Sequence, residues 1–389
     1  MIQNLKLYVV LNSSGAYALL VKLWTRSGIF QAKVPVIEGT SEGVKKMRNV
    51  FSTIRPNFIG LSEEDWASFD SFLEQLNSRS DVSPSLSLAL SVACARAATQ
   101  NDLWKIKGAG SWFPYIMGTV ALGKDWKEFT LIPYRETSVA DAFSSLKEAW
   151  KVTGEELKQK GFLRGRTNSG AWLSDLSDIE TLYFLDQIAK DWKMRLGLNI
   201  GASALWDPKA KTYNYKSRGM VIRKDLDPDE HMSLLSAIAE QYKIWYMEDP
   251  FHSADVMSHA YLTHKLEDTV ISGCDLYGAD IGKIKSAAKL MSTRGISVNP
   301  RDLSTISQLA EIAEFAKGRG LKLTLSRFST ETEDNWLADL ALAMGADMLK
   351  LGIMGADNVA KYSRLLEMWE DVPSPKMGLS GLKADSSQE

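Results

Sequence analysis

From residue 129 onward the chain alternates short apolar runs with longer amphipathic segments, and this alternation limits its fold more than any other feature. Strand candidates fall at 129–133, 196–200, 243–247, 270–272, 295–298, 322–325 and 347–351. Helix-periodic segments lie between them at 139–160, 178–193, 229–241, 279–293, 305–319 and 336–344. Repeated strand and helix units bury the apolar strands inside a ring of helices, which predicts an α/β fold with a closed β/α barrel. In such a barrel the reactive groups gather at the carboxyl ends of the strands. Those ends carry Asn199, Glu248, Asp275, Asn299, Arg327 and Lys350 in succession. This ordered series is a stronger signal than any one of its members.

The preceding segment has a different texture. Two strands at 5–11 and 17–24 flank the turn cluster Asn12 to Gly15, a third follows at 28–35, and the three form a small antiparallel meander. Trp66, Phe69, Phe72, Leu73 and Leu76 recur at helical spacing in 63–76, and an apolar helix follows at 83–98. The expectation is a small α+β N-terminal domain over 1–111, a barrel domain over 112–380 and a disordered polar tail over 381–389. A chain of 389 residues is long enough for two cores.

Charge and composition exclude several function classes. The formal net charge is only −2, so no global field draws nucleic acid or an anionic membrane, and an anion site must be local. Basic and aromatic residues do not alternate as an RNA surface would need, so the tryptophans are read as core or interface anchors. Cys94 and Cys274 are too far apart in sequence to suggest a metal motif or disulfide framework, which points to the cytoplasm. No leader is evident, and the longest apolar stretch, 86–98, is too short to span a membrane. His252, His259 and His264, spaced by seven and five, do not share a helix face and are expected to be solvated polar residues rather than metal ligands. His231 stands apart from any catalytic pattern.

Residues 326–342, with Lys350 to Gly352 and residues 360–366 behind them, resemble the C-terminal part of the enolase family. The likeness extends over nearly the whole chain and implies an enolase-like β/α barrel preceded by a small α+β domain. It further implies a metal site of three carboxylates, whose positions here hold Asn199, Glu248 and Cys274, with Asp275 one residue further on. A thiol and an amide in place of two carboxylates suit Mg²⁺ poorly, so Mg²⁺ binding is expected to be weak, with Glu248 and Asp275 as the remaining ligands. The resemblance puts Asn299 at the position of the catalytic base and Asn168 at that of its acid partner, and neither amide serves as an acid or base near neutral pH. Substrate-binding positions correspond to Lys350, Glu128, Ser329 and, by a one-residue shift, Arg327. The family's histidine-bearing lid corresponds to 118–123, which has no histidine, and its first lid to 35–43, with Ser41 at the metal-chelating position.

The expectation is therefore an enolase homologue that has lost phosphopyruvate hydratase activity and serves as a scaffold or a small-anion binder. The alternative is a divergent active enolase, or a related Mg²⁺-dependent lyase or isomerase acting on 2-phosphoglycerate or a similar acid through Glu248, Asp275, Lys350 and Arg327. A third reading makes the chain a subunit whose surface meets a protein partner. The resemblance also implies a dimer. Two simpler structural readings stand beside these. Glu331, Glu333 and Asp334 precede an apolar helix as an N-terminal cap would. Cys274 fits a small buried hydrophobe.

Overall fold

The structure, a computed structural model, describes residues 1–36, 39–80, 82–108, 110–216 and 225–378. Strands β1 (Asn4–Leu11), β2 (Tyr17–Trp24) and β3 (Ile29–Pro35) form the antiparallel meander. Its first turn closes because Asn12 Oδ1 accepts the backbone N–H groups of Ser14 and Ala16 at 3.0 and 2.9 Å. Helices α1 (Ser41–Ile54), α2 (Trp66–Ser80) and α3 (Pro84–Ala98) follow, and α3 packs against β2 and β3. Ser83 caps α3 by accepting from Leu86 N, with proline at the first helical position. The 381–389 tail and part of the 35–43 segment lie outside the described residues.

Eight strands close the barrel: β4 (Tyr115–Ala121), β5 (Glu128–Ile132), β6 (Arg195–Asn199), β7 (Tyr246–Glu248), β8 (Val270–Gly273), β9 (Gly295–Val298), β10 (Lys322–Ser326) and β11 (Met348–Gly352). Closure comes from the pairing of β11 with β4, Lys350 opposite Met117. Seven of the eight match sequence-predicted strands, and two features depart from the expectation. Strand β5 runs antiparallel to both neighbours, so its first residue, Glu128, lies at the rim where the other strands end. Strand β4 went unpredicted because the segment 118–123 was assigned to a lid. Residues 118–121 are instead buried barrel strand. A Cβ at Gly118 would come within 2.8 Å of Ile353 and 2.9 Å of Leu146, so glycine is required here by close packing of the outer layer.

The outer helices are α4 (Val139–Gln159), α5 (Asp178–Asp191), α6 (Pro228–Gln241), α7 (Val256–Lys265), α8 (Ile281–Ala288), α9 (Ile306–Arg319), α10 (Trp336–Ala343) and α11 (Ala356–Asp371). In place of a lid, the β4–β5 connection is a short turn clasped by Asp178 at the start of α5. Its carboxylate accepts the backbone N–H groups of Lys124, Asp125 and Trp126 at 2.7, 3.0 and 2.9 Å.

The acidic run before α10 does more than cap a helix. Asp334 does accept Asn335 N at 2.7 Å, but it also takes the guanidinium of Arg96 from α3, with both partners buried, and Lys33 N from β3. Glu333 pairs with Lys33. Glu331 holds the buried Lys361 of α11 at 2.8 Å, and its backbone carbonyl accepts Ser13 N at 2.8 Å. The motif is thus a clamp between the N-terminal layer and the barrel.

The histidine expectation needs correction. His259 is fully buried, not solvated, because its Nδ1 donates to the carbonyl of Asp255 at 2.7 Å and its ring packs on Phe251. His231 is also buried, stacked on Tyr213, and links the Tyr215 hydroxyl at 3.0 Å to the Pro250 carbonyl at 2.8 Å. A carbonyl only accepts, so Nε2 carries the proton and Nδ1 accepts from Tyr215. His264 is exposed.

Candidate anion site at the barrel mouth

Strand register assembles the site. Glu128 lies opposite Asn199, Asn199 opposite Glu248, and Glu248 opposite Ser272, and on the adjacent strands β10 and β11 Ser326 lies opposite Lys350. All but Ser272 line a cavity of about 290 Å³. Four carboxylates line it, Glu128, Glu248, Asp249 and Asp275, against four cations, Lys127, Arg301, Arg327 and Lys350. The formal charge of the lining is therefore zero.

At its centre is Lys350, whose Nζ lies 2.7 Å from Glu248 Oε1 and 2.9 Å from Glu128 Oε2. Asn199 Nδ2 donates to the same two carboxylates, at 2.9 Å to Glu248 Oε1 and 3.3 Å to Glu128 Oε2. The Tyr246 hydroxyl donates to the other Glu248 oxygen at 2.6 Å. Arg327 Nη2 stands 3.8 Å from Glu128 Oε1. Burial opposes ionisation of Glu128, but Lys350 and Arg327 outweigh it and draw its carboxyl down to about 2. Burial likewise disfavours the charged amine of Lys350, yet Glu128 and Glu248 raise it far above the ordinary lysine value. The group is a compensated buried ion cluster.

Asp249 follows Glu248 with a left-handed backbone, φ +47°. Its carboxylate accepts N–H groups from Cys274, Asp275 and Leu276 at 2.8, 2.9 and 3.3 Å and so shapes the loop after β8. Burial, then the nearby Glu248 and Asp275, push its carboxyl upward. The Cys274 thiol is also buried and raised by burial, so it stays neutral. Asp275 turns to the mouth, where it bridges Lys127 at 2.8 Å and Arg301.

Glu248, Asp249 and Cys274 form the one cluster among the described residues with three metal-capable groups, their ligand atoms within 4.8 Å of one another. The donor set does not fit Mg²⁺. One member is a neutral thiol, the second is spent on three backbone N–H groups, and both oxygens of the third already accept from protein donors. Asp275, the other carboxylate expected to serve, is held by its two cations.

The sequence-derived candidates distribute unevenly. Glu128, Asn199, Glu248, Cys274, Asp275, Asn299, Arg327, Ser329 and Lys350 all line the cavity. Asn299 is locked, donating to the Arg327 carbonyl at 3.0 Å and accepting Arg301 N at 3.1 Å. Arg327 Nη1 is spent on the carbonyls of Phe328 and Ser329 at 2.7 and 3.2 Å. Asn168 sits exposed in the turn of a hairpin, Leu163–Arg166 with Trp172–Ser174, outside the cavity lining, while its neighbours Thr167 and Ser169 face in. Ser41 is also outside, at the start of α1, with the Tyr17 hydroxyl at 3.1 Å. Sequence reasoning missed Tyr246, Lys127, Asp249 and Arg301. Tyr246 had a signal, since alternation along a strand places it on the face of Glu248. Arg301 had none, because its reach depends on the short 3₁₀ turn Pro300–Asp302.

A family description, "Enolase, C-terminal TIM barrel domain", matches residues 119–384. The protein named enolase from Methanocorpusculum labreanum is 26% identical over 368 residues, covering 88% of this chain and 89% of its own length. That from Pyrobaculum aerophilum is 27% identical over 340 residues, with 81% and 80% covered. That from Methanothermobacter thermautotrophicus is 24% identical over 413 residues, with 97% and 98% covered.

Proposed function

The chain belongs to the enolase family, and on that premise we propose that it has given up the phosphopyruvate hydratase reaction and binds a small anion at the barrel mouth. One observation carries this reading: the carboxylate left from the family's metal triad, Glu248, has both oxygens occupied by Lys350, Asn199 and Tyr246. Enolases abstract a weakly acidic carbon proton with a lysine base while metal ions stabilise the enediolate. Neither Ser297 nor Asn299, the polar residues at the end of β9, is an amine, and Asn168 lies outside the cavity lining. General acid or base groups are each worth about 10² to 10⁴ in rate. The cations Lys127, Arg301, Arg327 and Lys350 in the cavity lining support anion binding. The two buried free thiols suit a reducing, cytoplasmic setting, and no described helix is long and apolar enough to cross a membrane.

The test is dehydration of 2-phosphoglycerate by the purified chain with excess Mg²⁺, followed by the absorbance of phosphoenolpyruvate. No turnover is expected, and Asn299→Lys alone should not create it. Family-level turnover by the natural chain would establish the alternative, a divergent active enolase with a base elsewhere at the mouth.

A further inference from the structure

Of the four cations in the cavity lining, two are nearly enclosed. The side chains of Arg327 and Lys350 are 7% and 6% exposed, against 39% for Lys127 and 40% for Arg301. An entering anion therefore meets Lys127 and Arg301 first, and one carboxylate already holds both. Asp275 Oδ2 accepts from Lys127 Nζ at 2.8 Å, and its Oδ1 accepts from Arg301 Nη2.

Lys127 leads into β5 and Asp275 follows β8, so their bond passes the ends of β6 and β7, where Asn199 and Glu248 sit. On the way the lysine stem crosses Gly201, φ +57°, where a Cβ would collide with Lys127 Cγ, Cδ and Cε. Burial disfavours the Lys127 ammonium, but Asp275, then Asp249 and Glu248, raise it above the ordinary lysine value. The backbones beneath are pinned independently of these charges. Lys127 N donates to the Asn199 carbonyl at 2.9 Å, Asp275 N to Asp249 Oδ2 at 2.9 Å and Arg301 N to Asn299 Oδ1 at 3.1 Å. Side-chain rotation alone can thus part the three charges, with no loop movement.

Resting on the reading of this cavity as an anion site, we propose that Asp275 is its internal competitor, an autoinhibitory carboxylate that closes the mouth with Lys127 and Arg301 until an anion displaces it. The contact can yield, because partly exposed ion pairs are each worth at most about a factor of five in an equilibrium constant.

Calorimetric titration of the full chain with inorganic sulfate, in EDTA and at constant ionic strength, tests this. Asp275→Asn should bind sulfate at least about fivefold tighter than the natural chain, and adding Lys127→Gln should abolish the gain. Asp302→Asn controls for charge alone, since Asp302 meets Arg301 Nε at 3.3 Å and stands outside the cavity lining. It should change the affinity by less than about twofold. By nuclear magnetic resonance of the natural chain with isotope-labelled aspartate, sulfate should move the Asp275 carboxyl signal and leave its amide, held by Asp249, in place. That readout stands even if a variant does not fold. Equal affinity of the natural chain and Asp275→Asn, the same gain from Asp302→Asn, or an unmoved Asp275 carboxyl in the sulfate-bound chain would each overturn the inference while keeping an anion site. Absence of sulfate binding to the natural chain and Asp275→Asn alike would overturn it together with the anion reading itself.

Discussion

At the scale of residues, the same chemistry appears at two places with different consequences. At the barrel mouth Lys350 neutralises two carboxylates inside a ligand-sized cavity. Between the layers Arg96 meets Asp334 with a bidentate fork, both side chains buried, so that pair holds structure together. Removing one partner of a buried pair leaves the other charge unpaired and typically costs about 3–5 kcal/mol. Arg96→Met is therefore expected to lower unfolding stability by about that amount, read from urea denaturation. Arg96 also donates to the Gln31 carbonyl and Asn335. The loss should therefore exceed that of Lys33→Met, whose partner Glu333 is solvent-exposed.

At the scale of elements, the connection between β4 and β5 is held by one carboxylate, that of Asp178. A carboxylate gathering three successive N–H groups makes charge-assisted bonds, which are stronger than neutral ones. Asp178→Ala would strand the three donors and release the turn that leads into Lys127 and Glu128. Hydrogen exchange should show lost protection at Asp125 and Trp126, with the protection of β11 unchanged. Unaltered exchange in the turn would mean that Trp126, buried against Phe129, holds it instead. This turn also explains why the sequence was misread. Gly118 and Gly123 look like a flexible loop in one dimension, yet each is a glycine because neighbouring groups leave no room for a Cβ.

At the scale of the whole molecule, buried histidines and buried carboxyls act on acid stability with opposite signs. Burial lowers His231 and His259 from 6.5 to about 4. Between those values the unfolded imidazoles bind protons that the folded ones do not, a contribution to stability that rises with pH, whereas Asp70, pushed by burial from 3.8 to about 6, and the raised Asp249 hold protons in the folded chain and contribute a fall over much of the same window. The two imidazoles alone contribute a slope on the order of 2 kcal/mol per pH unit in mid-window, which the two carboxyls oppose. Glu128 adds a loss in the same direction as the imidazoles further down, as pH falls from its unfolded value toward about 2. Urea midpoints measured from pH 4 to 8 check the profile. A shallow curve between 4.5 and 6.5 is expected, and a slope as steep as the imidazoles alone would give would mean that Asp70 and Asp249 stay ionised in the folded chain.

The alternation of apolar runs and helical segments, the turn at Asn12 and the residues at the strand ends were all readable in one dimension, because period and position along a strand decide which side chains face inward. Asn199, Glu248 and Lys350 stood out at strand ends, and Glu128 joined them only through the family resemblance. What they do to one another was not readable in one dimension. The antiparallel β5 brings Glu128 to the rim, the register sets Asn199 between two carboxylates, and the crowding at Gly118 makes a strand of an apparent loop. The acidic run at 331–334 was read as a helix cap, since its partners Arg96, Lys33 and Lys361 are distant in sequence or lie on another layer. Composition and periodicity determine which elements form and which faces they bury. Only the packed structure decides which charges meet, and here it places a lysine ammonium against the carboxylate that the family resemblance had assigned to a metal ion.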